Sequence, residues 1–433
     1  MKWSKYNYLY KTDQSTCYLY NSLSNSLLDL EIDVFSYLLT LKIGQDFITE
    51  DEELFNVLKT AKSIVDNDKD EYYNLKYKAH YHRFDNMKMI LTINPTLHCN
   101  FNCSYCFEGA KPSIYMTDEV EDAIVNLIKK QKNINSVHNT WFGGEPLMAF
   151  ERIISLTNKM KNLEINYSAD MVTNGYLMNE YVINELDNLK ITSIQITIDG
   201  LETTHDKRRP LTSGKGSFQQ IIDNIDLLRM KKPDFDIAIR VNLDNNNKNE
   251  FIEICRFFCK RYKTFINIAP GFVSDKDGCR TSSCLMNRDV VADFLLDLYK
   301  KHKYATSNLY PDSHVFECQV RNPHSLVIGP QGEIYKCWND VGNKDKITGN
   351  IISKQSVNTN LLLRYYTAGD PFDDNDCKEC FHLPICGGGC PYLRIKREYE
   401  DKNIDVCYVK KDRLQEFLEY YCEFKKLKEK HYE

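Results

Sequence analysis

Of all the motifs in this sequence, three closely spaced cysteines near residue 100 are the best suited to form a reactive metal centre. Cys99, Cys103 and Cys106 follow a short apolar run in the pattern Cys-x3-Cys-x2-Cys. One loop with this spacing can place three thiolates around a single iron–sulfur cluster and leave one iron without a protein ligand. The triad therefore predicts an iron–sulfur centre with one position open to a small molecule.

A second group of cysteines lies near the C-terminus. Its members are Cys318, Cys337, Cys377, Cys380, Cys386, Cys390 and Cys407. Three glycines, 387–389, separate Cys386 from Cys390, as expected where backbone folds closely around a cluster and donates amide hydrogen bonds to sulfur. A structural zinc site is the alternative, because Cys-x2-Cys followed by later cysteines is common in zinc ribbons. Seven cysteines do not divide into whole four-cysteine zinc sites, which favours iron.

Length and composition limit the classes of protein to consider. The 433 residues are enough for two or three domains, and the net charge of −5 argues against a nucleic-acid-binding surface. The N-terminus has no signal pattern, and no apolar stretch approaches the roughly 18 residues of a membrane span. We therefore expect a cytoplasmic protein without a membrane partner. Since that compartment keeps thiols reduced, metal ligation explains the 16 cysteines better than disulfides do.

Short apolar runs alternate with longer helical periods between residues 88 and 305. The predicted strands span residues 89–93, 139–142, 169–173, 193–198, 237–243 and 265–269. The predicted helices span residues 117–131, 149–161, 179–189, 218–230, 249–262 and 288–302. Six βαβ-type units predict a parallel sheet and an incomplete barrel, whose loops after the strands carry function. The cysteine triad follows the first of these strands.

Residues 1–85 have a different pattern. Alternating Tyr6, Tyr8 and Tyr10 predict a hairpin, and two helices are predicted at 33–42 and 50–64. The charged run after them, from Asp66 to Glu71, predicts a loop or linker.

Several motifs together resemble the radical S-adenosylmethionine (SAM) superfamily. They are the cysteine triad with Phe107, the run Phe142-Gly143-Gly144-Glu145-Pro146-Leu147, and the segments 173–175, 197–200 and 205–208. The C-terminal cysteine group resembles the SPASM extension of such enzymes. The resemblance covers roughly residues 88 to 410, with the motifs in the expected order.

This resemblance implies an α/β fold and a set of cofactors. The fold is a partial (β/α)6 TIM-like barrel at 86–305, with a winged-helix-like α+β domain at 1–85. A loop-rich SPASM domain at 306–411 and a C-terminal helix at 412–433 complete the chain. The implied cofactors are SAM and three [4Fe–4S] clusters, one that binds SAM and two auxiliary ones. When bound, they supply reductive cleavage of SAM and a 5′-deoxyadenosyl radical that removes hydrogen from unactivated carbon.

The first SAM contacts implied by the resemblance lie near the triad and in the Gly-Gly-Glu run. Phe107 would pack on the adenine, although a core aromatic is the alternative. Gly143 and Gly144 would let the strand end approach the ligand. Glu145 would accept the SAM ammonium in a charge-assisted hydrogen bond. A tight turn that ends in a solvated carboxylate is the alternative for this run.

Further candidate contacts follow later strands. Asn174 would bind the ribose hydroxyls, and Arg208 or its neighbour Arg209 would pair with the SAM carboxylate. Both arginines have a surface charge as the alternative. Arg240 is costly to bury in an apolar strand, so we expect it to reach an anion of the cofactor or a structural ion pair. Asp199 would either order the site or start a turn.

The resemblance also divides the auxiliary ligands. Cys377, Cys380, Cys386 and Cys407 would hold the second auxiliary cluster, and Cys318, Cys337 and Cys390 the first. The position of a fourth cysteine in sulfatase-maturing relatives is Asp312 here. The open candidates for this fourth ligand are Cys279, Cys284, His314, a substrate thiolate or none.

The function implied is maturation of a ribosomally made precursor peptide by a thioether or carbon–carbon cross-link. Residues 1–85 would bind the leader at a sheet edge, with a structural cap on the barrel as the alternative for this segment. A flavodoxin- or ferredoxin-type protein would donate electrons. One alternative is a sulfatase-maturing, formylglycine-generating enzyme. Another class is a non-catalytic iron–sulfur electron carrier or a zinc-stabilised peptide-binding protein.

Overall fold

The computed structural model describes residues 1–106, 108–109, 112–262, 266–273, 286–304, 309–311, 318–400 and 403–432. The chain divides into two compact units. The first consists of Met1–Phe84, Ala292–Asn322 and Arg364–Glu433, and the second of Asp85–Val291 and Pro323–Leu363.

The N-terminal segment of the first unit combines a small sheet with three helices. Its elements are β1 (Lys2–Trp3), β2 (Asn7–Lys11), β3 (Cys17–Asn21), β4 (Ser26–Leu30), α1 (Ile32–Leu38), α2 (Glu52–Thr60), β5 (Ile64–Val65) and α3 (Glu71–Arg83). Strands β2, β3 and β4 form an antiparallel meander, and β1 pairs with β5. Tyr8 lies opposite Tyr20 and Tyr10 opposite Tyr18, so the predicted hairpin is confirmed.

Helix α3 is the helix of this segment that the sequence pattern did not predict. Asp70 caps it by accepting a hydrogen bond of 2.9 Å from the Tyr73 amide. Tyr72 and Leu75 are buried on one face, whereas Tyr77 is 66% exposed on another. Because apolar residues occupy both faces, the 3.6-residue periodicity that marks an amphipathic helix is lost.

The second unit is built on one large sheet. Its strands are β6 (Lys88–Ile93), β7 (Ser136–Trp141), β8 (Asn166–Thr173), β9 (Ile191–Thr197), β10 (Asp236–Leu243), β11 (Asn267–Phe272), β12 (Ser325–Ile328), β13 (Glu333–Tyr335) and β14 (Gly349–Asn350). The helices between β6 and β11 are α4 (Asp118–Lys129), α5 (Phe150–Lys161), α6 (Glu180–Glu185), α7 (Glu202–Arg208), α8 (Phe218–Lys231) and α9 (Phe251–Arg261).

The order of the strands confirms the predicted α/β fold class. The sheet runs β11-β10-β9-β8-β7-β6-β12-β13-β14, and β6 to β12 are all parallel. The six predicted strands are the first six of this sheet. Three added strands, β12 to β14, are only two to four residues long, too short for a periodic signal in the sequence.

The two faces of the sheet differ in chemistry. In β10, Ile239 and Val241 are fully buried, whereas the alternating Arg240 is exposed and Asn242 is partly buried. Side chains of a strand alternate between faces, so one face is apolar and the other is polar. The loops at the carboxyl ends of the parallel strands lie along one edge, where they bring the candidate site residues together.

The remaining helices are α10 (Arg288–His302), α11 (Thr359–Leu363), α12 (Asn375–Lys378), α13 (Leu383–Cys386), α14 (Pro391–Tyr399) and α15 (Leu414–Tyr432). Within the first unit, Tyr6 and Tyr72 share a buried cluster with Phe372 and Leu383. The N-terminal segment and the C-terminal segment therefore have a common core, and the domain boundaries proposed from sequence stay predictions. None of the helices in the described part of the chain is long and apolar enough to cross a membrane.

Candidate active site

The cysteine triad occupies the loop after β6. Cys99 is buried, and Cys103 and Cys106 are partly buried. Backbone bonds from Asn102 to the Pro210 carbonyl and from Thr212 to the Asn100 carbonyl, both 2.9 Å, tie this loop to the segment after α7. Phe107, expected on the SAM adenine, lies outside the described residues.

Two glycines allow the end of β7 to lie against the backbone that precedes the triad. Gly143 has φ +111°, and a Cβ there would be only 2.5 Å from the Thr96 carbonyl oxygen. A Cβ at Gly144 would clash with the carbonyl oxygens of Leu97 and His98. Close packing against the protein's own backbone therefore requires glycine at both positions. The approach of these glycines to SAM stays a prediction.

Glu145 is the buried carboxylate at the end of β7, only 1% exposed. Its Oε1 accepts hydrogen bonds from Thr173 Oγ1 at 2.6 Å and the Leu147 amide at 3.0 Å. Its Oε2 accepts one from the Asn174 amide at 2.7 Å. Burial raises the pKa of Glu145, and these three donors oppose that effect. The carboxylate is therefore fixed between the ends of two neighbouring strands.

Both polar atoms of the Asn174 side chain form hydrogen bonds within the protein. Its Nδ2 donates to Asn100 Oδ1 at 2.7 Å, and its Oδ1 accepts from the Tyr176 amide at 3.0 Å. The role of Asn174 at the SAM ribose stays a prediction. Asn100 itself, between the first two cysteines of the triad, has a buried Nδ2 without a hydrogen-bond partner in the described structure. A buried donor of this kind is costly unless a ligand satisfies it.

Arg208 belongs to an internal ion-pair network. Its guanidinium lies 3.3 Å from Asp199 and 2.7 Å from Asp244, and it donates to the Asn242 carbonyl at 3.3 Å. Its charge is therefore already balanced, and pairing with the SAM carboxylate stays a prediction for this residue. Asp199 is 0% exposed and also accepts from the Asn242 amide, so it orders the strand ends.

The neighbouring Arg209 has different surroundings. It is buried, its Nη1 donates to Tyr105 Oη at 2.7 Å, and its Nε has no hydrogen-bond partner among the residues that the structure describes. Burial disfavours its charge, but nearby Cys103, Tyr105 and Asp199 raise the pKa of Arg209 well above its usual value. A permanent cation with a free buried donor therefore lies beside the triad.

These groups fit the chemistry of SAM. A ligand that carries an ammonium and a carboxylate needs an anionic acceptor and cationic or amide donors. Glu145 supplies the acceptor, and the unpaired Nε of Arg209 and Nδ2 of Asn100 supply the donors. Three thiols on the same loop add the donor set for iron.

His205 supports Arg209 through a chain of hydrogen bonds. The Asp199 amide donates to His205 Nδ1 at 3.3 Å, Nε2 lies 3.2 Å from Ser217 Oγ, and that hydroxyl donates to the Arg209 carbonyl at 2.8 Å. Burial, with the charges of Arg209 and Arg208, lowers the pKa of His205 well below its usual value. The imidazole is therefore neutral, with the Nε2 proton donated to Ser217.

Arg240 lies on the polar face of the sheet. Its Nε donates to Asn242 Oδ1 at 2.9 Å, and its guanidinium lies flat on Gly271, where a Cβ would be 2.6 Å from Cζ. No carboxylate of the described residues lies within ion-pair distance of it. Its place among the cofactor-binding residues stays a prediction.

Several C-terminal cysteines lie together in the first unit. Cys377, Cys380 and Cys386 are close enough for their charges to interact, and Lys411 Nζ lies 3.7 Å from Cys407 Sγ. Burial raises the pKa of Cys386 to about 11, and the amides of Gly388 and Gly389 oppose this.

The described residues contain no group of three or more His, Cys, Asp or Glu side chains arranged to hold a single metal ion. The auxiliary ligand assignments, including Cys318, Cys337 and Cys390, stay predictions. The candidates for the remaining ligand, Cys279, Cys284 and His314, lie outside the described residues, as does Asp312.

Comparison with known proteins assigns the central part of the chain. The sequence model of the radical SAM superfamily matches residues 93–258. This region is a radical SAM domain. It contains the triad, the Gly-Gly-Glu run and Arg209. The radical SAM domain implies that SAM and a [4Fe–4S] cluster bind there.

Two curated relatives illustrate the range of similar enzymes. The serine-type anaerobic sulfatase-maturating enzyme of Bacteroides thetaiotaomicron is 25% identical over 343 residues, which cover 69% of this chain and 81% of the relative. The radical SAM cyclopropyl synthase TigE of Paramaledivibacter caminithermalis is 22% identical over 447 residues, covering 89% of each chain.

Solved structures agree with the fold. The anSMEcpe structure with AdoMet and the Cp18Cys peptide has a TM-score of 0.58 at 20% identity, covering 78% of this chain and 98% of its own. Streptococcus suis SuiB bound to precursor peptide SuiA has a TM-score of 0.52 at 16% identity, covering 92% and 97%. These likenesses confirm the predicted partial barrel.

Sequence reasoning missed two side chains that organise the site. Thr173 stands directly before Asn174 in the Thr-Asn-Gly segment, and Tyr105 lies inside the cysteine loop. Both residues stand inside motifs that the sequence shows. Only the structure reveals that Thr173 donates a hydrogen bond to Glu145 and that Tyr105 accepts one from Arg209.

Proposed function

We propose that this chain is a radical SAM maturase that installs a thioether or carbon–carbon cross-link in a ribosomally made precursor peptide. The observation that supports it most is how far the likeness extends. SuiB, crystallised with its precursor peptide, covers 92% of this chain, whereas anSMEcpe covers 78%. A likeness this long includes most of the N-terminal segment that we propose for leader binding.

Cys99, Cys103 and Cys106 would hold the cluster that binds SAM. When bound, this pair of cofactors supplies reductive cleavage of the sulfonium and a radical that abstracts hydrogen. The chain's own contribution is to bind and orient SAM. Glu145 would accept the ammonium, and Arg209 would bind the carboxylate in preference to the already paired Arg208.

The N-terminal sheet would recognise the leader of the precursor. Strands β2 and β4 are the edges of the meander, so each has a row of backbone groups without a strand partner in the described structure. An extended peptide can add to such an edge by main-chain hydrogen bonds. Tyr8, which is only partly buried and stacks on the buried Tyr10, would contact its side chains.

The C-terminal cysteines would hold auxiliary clusters. Formation of a cross-link removes two hydrogens from the peptide, one by abstraction and the other as a proton and an electron. We propose that the auxiliary clusters accept that electron and that a flavodoxin- or ferredoxin-type donor supplies the electron for SAM cleavage.

The test begins with anaerobic reconstitution, iron counting and assay of 5′-deoxyadenosine after SAM and dithionite are added. We expect wild-type protein to form 5′-deoxyadenosine. Replacing Cys99, Cys103 and Cys106 together by alanine should abolish it while auxiliary iron persists. Unchanged SAM cleavage in this variant would refute the site assignment, and no cleavage by wild-type protein would favour a carrier or a zinc protein.

The cross-link itself is tested with the peptide encoded beside the maturase gene. We expect its mass to fall by two hydrogen atoms per link, and tandem mass spectrometry to show the linked residues resisting fragmentation. An unlinked product would contradict this part of the proposal.

Sulfatase maturation is the second candidate, and the 25% identity to the sulfatase-maturating enzyme of Bacteroides thetaiotaomicron favours it. The two candidates differ in product. A sulfatase-derived peptide with a target serine or cysteine would gain an aldehyde that reacts with a hydrazide probe, whereas a cross-linked precursor would not.

A further inference from the structure

Arg394, on α14, is a fully buried cation beside a C-terminal cysteine. Its side chain is 0% exposed, and its Nη2 donates a hydrogen bond of 3.0 Å to Cys377 Sγ. We propose that Arg394 is the buried counter-charge of the cluster held by Cys377, Cys380, Cys386 and Cys407, and that it raises the reduction potential of that cluster. This inference rests on the cluster assignment in the proposed function.

The glycine-rich loop between two cysteines holds the guanidinium in place. Gly388 has φ +78°, and its carbonyl oxygen accepts from Arg394 Nε at 3.2 Å and from Nη2 at 2.9 Å. The amides of Gly388 and Gly389 in turn interact with Cys386. One loop therefore presents amide donors to one cysteine and fixes the charged donors of Arg394 beside another.

The carboxylates around Arg394 do not account for its contact with sulfur. Asp374 and Glu398 lie 2.7 and 3.2 Å from Arg394, and the same two carboxylates lie 3.0 and 3.4 Å from Arg397. Two cations thus balance two anions. The hydrogen bond to Cys377 is additional to this balanced set.

A neutral thiol is a poor partner for a buried guanidinium. Thiol sulfur is a weak acceptor, whereas hydrogen bonds to an ionised acceptor are roughly twice as strong as neutral ones. Arginine does not lose its proton, so its charge is permanent. The environment of Arg394 therefore suits a thiolate that ligates iron.

Positive charge and N–H···S hydrogen bonds favour the more anionic, reduced state of an iron–sulfur cluster. With Arg394 in place, the cluster accepts an electron more readily. Loss of the guanidinium should therefore make the reduction potential more negative, without any change in the ligands.

The experiment uses the full chain with Cys99, Cys103 and Cys106 replaced by alanine, so that only auxiliary iron remains. The midpoint potential is measured by EPR-monitored reductive titration. We expect Arg394→Gln to make reduction of one cluster at least tenfold less favourable, about 59 mV for one electron. Arg394→Lys keeps the positive charge and should shift the midpoint potential less.

The matched control is Arg397→Gln, which removes a cation from the same two carboxylates. We expect it to change the reduction equilibrium less than threefold. The inference is overturned if Arg394→Gln keeps its iron and its midpoint is unchanged, or if the control moves the midpoint as far as Arg394→Gln does.

A second variant decides the matter if Arg394→Gln does not retain iron. Glu398→Gln removes a carboxylate that partly neutralises Arg394, so the midpoint should rise. An unchanged or lower midpoint would overturn the inference. If the alanine background itself binds no iron, the auxiliary cluster assignment of the proposed function fails, and the inference fails with it. That outcome is distinct from a filled cluster with an unmoved potential.

Discussion

Thr173 Oγ1 donates a hydrogen bond of 2.6 Å to Glu145 Oε1 and so joins the ends of strands β7 and β8. The Asn174 amide binds the other carboxylate oxygen at 2.7 Å. Glu145 therefore cannot rotate without breaking bonds to a neighbouring strand. A fixed, buried carboxylate loses little conformational entropy when it binds an ammonium group.

Replacement of Glu145 should weaken SAM binding more than removal of the hydrogen bond that Thr173 donates to it. Glu145→Gln keeps the shape but removes the charge, which is worth roughly 1.5–3 kcal/mol in a charge-assisted hydrogen bond, or at least about tenfold in Kd. Thr173→Val leaves the bond from the Leu147 amide to Oε1 and should weaken binding about fivefold or less. Equilibrium dialysis of labelled SAM with reconstituted protein measures both, and equal effects would contradict a charge role for Glu145.

Substitutions of the two adjacent arginines should have different effects, because Arg209 would bind SAM and Arg208 would stabilise the fold. Arg209→Gln should raise the Kd for SAM by about tenfold or more, because it removes the cation with the free donor. Arg208→Gln leaves the buried Asp199 and Asp244 without their cation and should cost roughly 3–5 kcal/mol of stability. SAM binding and thermal unfolding, measured on both variants, distinguish the roles. A large loss of SAM affinity confined to Arg208→Gln would restore the original prediction for that residue.

His205 should make the stability of the barrel depend on pH. Its pKa in the folded protein is lowered by burial and by Arg209 and Arg208, so folded protein keeps the ring neutral. The unfolded chain takes up a proton below the ordinary pKa of about 6.5. The stability contribution is therefore complete above that pH and falls below it, by up to about 1.4 kcal/mol per pH unit.

The measurement is Tm between pH 8 and pH 5.5 for wild type and His205→Gln. Glutamine can accept from the Asp199 amide and donate to Ser217 but does not titrate. We expect the Tm advantage of wild type to shrink as pH falls below 6.5. His302→Gln, at an exposed position, is the control and should track wild type. A constant difference in Tm between wild type and His205→Gln from pH 8 to pH 5.5 would contradict a neutral buried His205.

The fold was predictable to the extent that periodicity encodes it. The strand from Asp236 to Leu243 alternates clearly because one of its faces is buried and the other is polar. Helix α7 was seen only as a motif, since seven residues give barely two turns of pattern. Helix α3 was missed because apolar side chains on both faces remove the signal.

The site was predictable in residue types but not in contacts. The triad follows from its spacing and Glu145 from the family resemblance of the Gly-Gly-Glu run, but the choice between Arg208 and Arg209 depends on where α7 ends. Arg208 is the last helical residue, whereas Arg209 has φ −129° and ψ 52° and so leaves the helix in a different direction. A sequence does not fix such a terminus to one residue. Likewise, only the packing of α14 shows that Arg394 meets Cys377.

The last prediction concerns the open edge at β4. Successive N–H groups of a strand point to opposite edges, so of Leu28 and Asp29 one donates towards β3 and the other towards the open edge. Proline removes the donor at either position. We therefore expect one of Leu28→Pro and Asp29→Pro to disrupt the sheet, and the other to fold but bind the precursor leader at least tenfold more weakly.

Circular dichroism and Tm identify the folded proline variant, and fluorescence anisotropy with a labelled leader gives its affinity. Asp29→Ala, which keeps the backbone donor, is the control for loss of the side chain and should bind as wild type does. These point variants are cleaner than deletion of residues 1–85, because Tyr6 and Tyr72 pack on Phe372 and deletion would expose that core. A folded proline variant with undiminished leader affinity would show that β4 is not the docking edge, since strand addition there requires the missing donor.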